Sequence, residues 1–202
     1  MIQAVIFDFG NVICKFNNNI FLEKISQSTE KSVKELHDLI YNRSRLTQEY
    51  ETGRISSQDF FAGVSELCNM DMDQTKFRRA FTQIFTPNEN TFDLIRTLKP
   101  SYKIGLLSNV SEWDFEYGIK PISVFDLFDA MSLSFEVGAL KPDEEIYYDM
   151  LKKLDLAPEA CVYIDDLLEF VQAAERIGLY GIHYTDHRRL ISSLKKAGIY
   201  PG

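Results

Sequence analysis

The apolar run VIF stops on Asp8, and far along the chain a second run, CVYI, stops on the pair Asp165 and Asp166. In an open parallel α/β sheet ligands bind beyond the carboxyl ends of the strands, so acids placed at two such ends converge on one point. Three carboxylates at one point raise one another's pKa unless a cation lies between them. The pattern predicts a magnesium site with a carboxylate nucleophile. Two more strand ends add Ser108 and Asn109 after KIGLL, and Lys141 in GALKP. Taken singly, Asp8 and Ser108 suit helix N-caps, the acidic pair a solvated turn, and Lys141 a surface charge before a Pro-started helix. Four appropriate groups at successive positions of one sheet are much harder to assign to capping. As a set they suit phosphoryl transfer: Asp8 attacks phosphorus, magnesium neutralises the carboxylates and a phosphate oxygen, and Ser108 and Lys141 hold the remaining oxygens.

The elements that would position these groups can be read from short apolar runs at 2–7, 103–107, 130–134, 161–164 and 181–184. Helical patterns lie between the later ones: Ile146, Tyr147, Met150, Leu151 and Leu154 after Pro142, and Val171, Ala174 and Ile177 closed by Gly178. Strands alternating with helices predict an α/β fold with a Rossmann-like, doubly wound parallel sheet. From about Phe16 to Glu89 there is no strand signal, and the sequence reads as helices near 19–28, 31–50, 56–68 and 73–85. A crossover between parallel strands rarely needs that much chain, so the segment is expected to be an inserted all-helical cap above the strand ends. The expected division is a core of 1–15 and 90–202 with a cap of 16–89.

Composition narrows the function classes. The 202 residues carry 30 acidic and 22 basic side chains, a net charge of -8, with no Lys/Arg-rich run, which argues against a nucleic-acid surface. The three cysteines, Cys14, Cys68 and Cys161, are scattered without a CxxC motif and suit buried positions in a reducing compartment. The start has no secretory pattern and no apolar run approaches a membrane span, so a cytoplasmic protein without a membrane partner is expected.

The stretches VIFDFGNVI, KIGLLSNV, VGALKPDEEIY and VYIDDLLEFVQAAERIG, in this order, resemble the haloacid dehalogenase-like hydrolase superfamily over essentially the whole chain. FDFGNV, LSNV, LSFEVGALKP and the cap stretch YETGRISSQDFF are most similar to its α-D-glucose-1-phosphate phosphatase branch. The resemblance implies Asp8 as nucleophile, the Gly10 carbonyl and Asp166 as metal ligands with Asp165 beside them, and Ser108 and Lys141 on the phosphate. Asn109 is implied at phosphate or substrate. The implied cofactor is Mg²⁺ and the implied partner a small phosphorylated metabolite, with a sugar phosphate favoured by resemblance alone.

Two positions depart from the superfamily. Most of its phosphatases carry a general acid and base two residues after the nucleophile, where this chain has Gly10. Such assistance is worth ~10²–10⁴-fold, so its loss slows an enzyme without abolishing it, and least for an acidic leaving group such as an anomeric hydroxyl. Asn11 cannot replace the acid, because an amide does not titrate usefully. Phe170 stands four residues after Asp166, where a polar residue near the metal's water shell is usual; it either weakens the metal site or simply packs its helix. A non-catalytic ligand- or partner-binding descendant and, less readily, a 2-haloacid dehalogenase are the alternatives. The latter needs no metal and would leave the acidic pair unneutralised.

Overall fold

The computed structural model describes residues 1–200. Seven strands, β1 (Ala4–Phe7), β2 (Cys14–Phe16), β3 (Phe85–Pro87), β4 (Lys103–Ser108), β5 (Ala130–Leu133), β6 (Cys161–Asp165) and β7 (Tyr180–His183), form two sheets. The larger is entirely parallel, in the order β5-β4-β1-β6-β7. A parallel sheet covered on both faces needs strands apolar on both sides, which is why β1 is a run of four buried residues rather than an alternation. The strand side chains divide between two layers. Val5, Phe7, Ile104, Leu106, Val162 and Ile164 meet the helices at 89–98 and 187–196, while Ala4, Ile6, Leu107 and Tyr163 meet those at 144–154 and 168–177.

Ten α-helices are found among the described residues, besides short 3-10 and π-helical turns: α1 (Asn18–Ile25), α2 (Val33–His37), α3 (Leu46–Glu51), α4 (Ser57–Cys68), α5 (Gln74–Thr82), α6 (Glu89–Leu98), α7 (Ser134–Val137), α8 (Glu144–Leu154), α9 (Leu168–Ile177) and α10 (His187–Lys196). The Rossmann-like core with inserted helical elements is thus the expected architecture. None of the helices among the described residues is long and apolar enough to cross a membrane.

The inserted helices α1–α5 pack around their own aromatic centre. Phe21, Tyr50, Phe60, Phe77 and Phe81 contact one another at ring-centroid distances from 4.5 to 6.3 Å. Capping boxes at Ser32/Glu35 and Ser56/Asp59 start α2 and α4 by satisfying otherwise orphaned amide groups. Trp113, from the segment after β4, is buried in the same cluster and ties the insertion to the core. A polar chain reinforces it: the Trp113 amide donates to Tyr50 Oη at 3.0 Å, Tyr50 Oη lies 2.7 Å from Ser57 Oγ, and Ser57 Oγ donates to Glu112. Gly53 adds a close approach. Its φ is +65°, and a Cβ there would lie 2.2 Å from the Phe135 carbonyl oxygen.

Two expectations need correction. The helix read at 31–50 is broken: α2 runs on through a π-helical turn at Asp38–Arg43, then Ser44 turns extended before α3 begins. Ser44 Oγ donates to the Ile40 carbonyl at 2.9 Å, a side-chain bond that competes with helix continuation. The interval from Phe16 to Glu89 also does hold strand. Its two ends pair as the antiparallel ribbon β2/β3, with Cys14 opposite Pro87 and Phe16 opposite Phe85. Three-residue strands are too short to show a period, and their pairing joins residues some seventy positions apart.

Candidate active site

Register places the charged residues. Phe7 lies opposite both Leu106 and Ile164, and the Asp8 amide donates to the Ile164 carbonyl at 2.9 Å. Asp8 and Asp165 therefore emerge side by side, with Ser108 at the end of the strand on the other flank.

Lys141 reaches into this crowd. Its Nζ donates to Asp8 Oδ1 at 2.6 Å and to Asp165 Oδ2 at 2.7 Å, with all three side chains almost fully buried. Burial opposes the ammonium charge, but Asp8 and Asp165 more than offset it and hold the Lys141 pKa above its ordinary value. Burial raises Asp8 to about 7; Lys141 opposes that rise, while Asp165 and Asp166 add to it. Asp166 is half-buried and also raised, first by burial.

The two adjacent acids have different surroundings. Asp165 accepts from Lys141 and Tyr163 Oη through Oδ2 and from the Leu167 amide through Oδ1. Asp166 faces the cavity and accepts from Asn11 Nδ2 at 2.9 Å. Asn11 adopts a left-handed φ of 57°, tolerated by Asn, and this turn brings its amide round to Asp166. Carboxylate oxygens of Asp8, Asp165 and Asp166 lie within 4.8 Å of one another. Fully ionised, three carboxylates against one ammonium leave two negative charges, which suits a divalent cation.

Gly10 and Phe170, the two departures, both line the cavity. A Cβ on Gly10 would meet the Phe16 ring at 3.1 Å and Asp8 Oδ2 at 3.6 Å, so the space for a longer side chain is already taken by Phe16. Phe170 lies with its ring centroid 5.0 Å from Lys141 Nζ, a cation–π distance, and so adjoins the charged cluster rather than only packing its helix. Ser108 is buried, and its hydroxyl makes one long contact, 3.4 Å, to the Asn109 carbonyl. Asn109 clasps the backbone of Lys141, accepting from its amide at 2.7 Å and donating to its carbonyl at 3.2 Å.

The cavity measures about 360 Å³ and extends from Asp8 to the inserted helices. Besides the sequence-predicted residues Asp8, Gly10, Ser108, Asn109, Lys141 and Asp166, its wall includes Tyr41, Thr47, Glu51 and Asp114. Asp165 lies behind the wall. Sequence reasoning missed the four wall residues because a polar residue on a helix reads as solvent-facing unless its neighbours are known. Arg43 pairs with Asp38 on the surface. His183 contacts the Asp166 carbonyl through Nε2 at 3.0 Å.

The haloacid dehalogenase-like hydrolase family matches residues 2–178. A sesquiterpene phosphatase of Aspergillus oryzae is 29% identical, over 91% of this chain and 90% of its own. A D-ribitol-5-phosphate phosphatase of Bacteroides thetaiotaomicron is 26% identical, over 88% and 89%. Among solved structures, a HAD family enzyme of Bacteroides thetaiotaomicron in complex with magnesium and inorganic phosphate superposes with a TM-score of 0.80 at 20% identity, covering 92% of this chain and 95% of that one. An L-2-haloacid dehalogenase shares the fold with a TM-score of 0.68 at 16% identity, covering 95% of this chain and all of the other.

Proposed function

Because the chain belongs to the haloacid dehalogenase-like hydrolase family, we propose that it is a magnesium-dependent phosphatase of small phosphomonoesters, acting through an aspartyl-phosphate on Asp8. The observation that carries this reading is the buried Asp8–Lys141–Asp165 cluster with Asp166 beside it at the cavity floor. Phosphatase relatives and a similar fold holding magnesium and phosphate support it. A sugar phosphate, as in the α-D-glucose-1-phosphate phosphatase branch, is the favoured substrate. The cysteines are free and buried, which suits a reducing cytoplasmic setting.

In the proposed cycle an Asp8 carboxylate oxygen attacks phosphorus, a P–O bond forms, and the bond to the leaving oxygen breaks; the departing alkoxide takes a proton from water, since position 10 carries no acid. Water then attacks phosphorus and releases inorganic phosphate from Asp8. Lys141 fixes the rotation of the Asp8 carboxylate through Oδ1 and places positive charge beside the phosphoryl group. Ser108 offers its hydroxyl to a phosphate oxygen, and Asn109 contributes at the phosphate end while holding the Lys141 backbone. Magnesium would be held by Asp8, the Gly10 carbonyl and Asp166, with Asp165 supporting from behind, and when bound supplies charge neutralisation. The inserted segment 16–89 acts as the cap that excludes bulk water and selects the leaving group.

Phosphate release from a panel of small phosphoesters, with and without magnesium, tests the reading. Asp8→Asn is expected to cut turnover by at least ~10⁴-fold. Magnesium is expected to raise the melting temperature of the wild type by mass action, and Asp166→Asn to remove that shift. Turnover that survives Asp8→Asn, or that ignores magnesium, overturns the mechanism.

A further inference from the structure

Beyond the charged cluster, the cavity wall has a composition of its own. Tyr41, Thr47 and Glu51 come from the inserted helices, and Asp114 comes from the segment after β4. Asp114 Oδ2 accepts from Ser111 Oγ at 2.8 Å, but Asp114 Oδ1 is buried with no hydrogen-bond partner. No Lys or Arg pairs with Glu51 or Asp114 among the described residues. A buried acceptor left unmatched costs about 1–3 kcal/mol, so an occupant that supplies its partner binds where a hydrocarbon would not.

We propose that Glu51 and Asp114 form the leaving-group subsite of this phosphatase and select substrates whose leaving group carries hydroxyls, that is, sugar or polyol phosphates rather than prenyl, alkyl or ammonium-bearing esters. The inference rests on the phosphatase reading and deepens it. A hydroxyl both donates and accepts, and can bridge a carboxyl that donates and one that accepts. Burial pushes Glu51 to about 7, and Asp114 to about 8 with Glu51 adding to it, so near neutrality the pair retains protons to donate. Aromatic rings beside the pair, Tyr41 and Phe81 among them, offer flat apolar surface to the C–H faces of a sugar. Neither acid would be needed by a leaving group of pure hydrocarbon, which would bury both without partners.

The test compares kcat/KM for matched pairs that differ only in hydroxyls: myo-inositol 1-phosphate against cyclohexyl phosphate, and ribitol 5-phosphate against n-pentyl phosphate. The wild type is expected to prefer the hydroxylated member of at least one pair by more than ~10-fold, since a site built for hydroxyls rejects analogues lacking them. Glu51→Leu and Asp114→Leu should each collapse that ratio, mainly through KM. Glu51→Gln and Asp114→Asn, which still hydrogen-bond, should retain more of it than the leucine variants. Melting curves show which variants fold, and the amide variants carry the test if a leucine variant does not. Turnover with a ratio near one, or with choline phosphate or a prenyl phosphate preferred, overturns this inference and leaves the phosphatase reading standing. No turnover of any ester overturns both.

Discussion

Carboxyl groups are withdrawn from water in two regions of this molecule, almost fully at the strand ends and partly on the cavity wall, and their partners differ. At the strand ends Asp8 and Asp165 share one ammonium, Lys141, at 2.6 and 2.7 Å. Elsewhere on the cavity wall Glu51 and Asp114 have no cation among the described residues, and burial pushes both towards the neutral form. Charge removed from water is costly, so a protein either compensates it or discharges it. The core does the first in part, since Lys141 opposes the burial that still raises Asp8 to about 7, and the wall acids, with no cation beside them, do only the second. The two regions also pack differently: the core is mainly aliphatic layers on a sheet, whereas the insertion centres on a knot of stacked and edge-on aromatic rings.

The sharpest way to break this contrast is to remove the core's compensation. Lys141→Met leaves Asp8 and Asp165 buried without their cation and is expected to destabilise the fold by about 3–5 kcal/mol. Thermal or denaturant unfolding measures it, and a melting temperature equal to wild type would mean that the cluster is held by something other than this ion pair. A smaller effect is expected at the join between the regions. Tyr50→Phe removes the acceptor of the buried Trp113 amide and should cost about 1–3 kcal/mol, read in the same unfolding experiment. Loss of phosphatase activity beyond that expected from unfolding would show that this link also sets the position of the cap.

The wall acids give the smallest and most specific effect. Their pKa values are raised in the folded protein, to about 7 and about 8, so the folded state holds protons that the unfolded chain has released. Their contribution to stability is complete below the ordinary carboxylate range near pH ~4 and is lost as pH rises through 7 to 8. Glu51→Gln combined with Asp114→Asn should therefore flatten the fall in melting temperature across that window relative to wild type. Parallel profiles for wild type and double variant would show that both acids are already ionised in the folded state.

Much of the core was legible because its physics is local. A strand covered on both faces must be a continuous apolar run, so the run ending on Asp8 and the run ending on Asp165 identify themselves. The helices that cover the sheet carry clear periodicity and stops, as at Gly178 after α9. The insertion was legible as helix but not in its breaks, because the turn at Ser44 depends on one side-chain bond to Ile40. The β2/β3 ribbon was hidden because neither three-residue strand has a pattern without the other. Asn11, dismissed as an acid, turned out to hold Asp166, a contact spanning 155 positions of sequence.

By itself, the sequence determined the α/β architecture, the presence of a large helical insertion, and which strands end in carboxylates. Each follows from short-range hydrophobic pattern, continuous apolar runs for the strands and the helical period between them, which survive without knowledge of neighbours. Tertiary structure alone decided that Asp165 turns inward to Lys141 and Tyr163 while Asp166 faces the cavity. It also brought Glu51 and Asp114 onto one wall. Such choices depend on which distant groups share a small buried volume, and burial and pairing, not residue type, then decide whether a carboxyl keeps its charge.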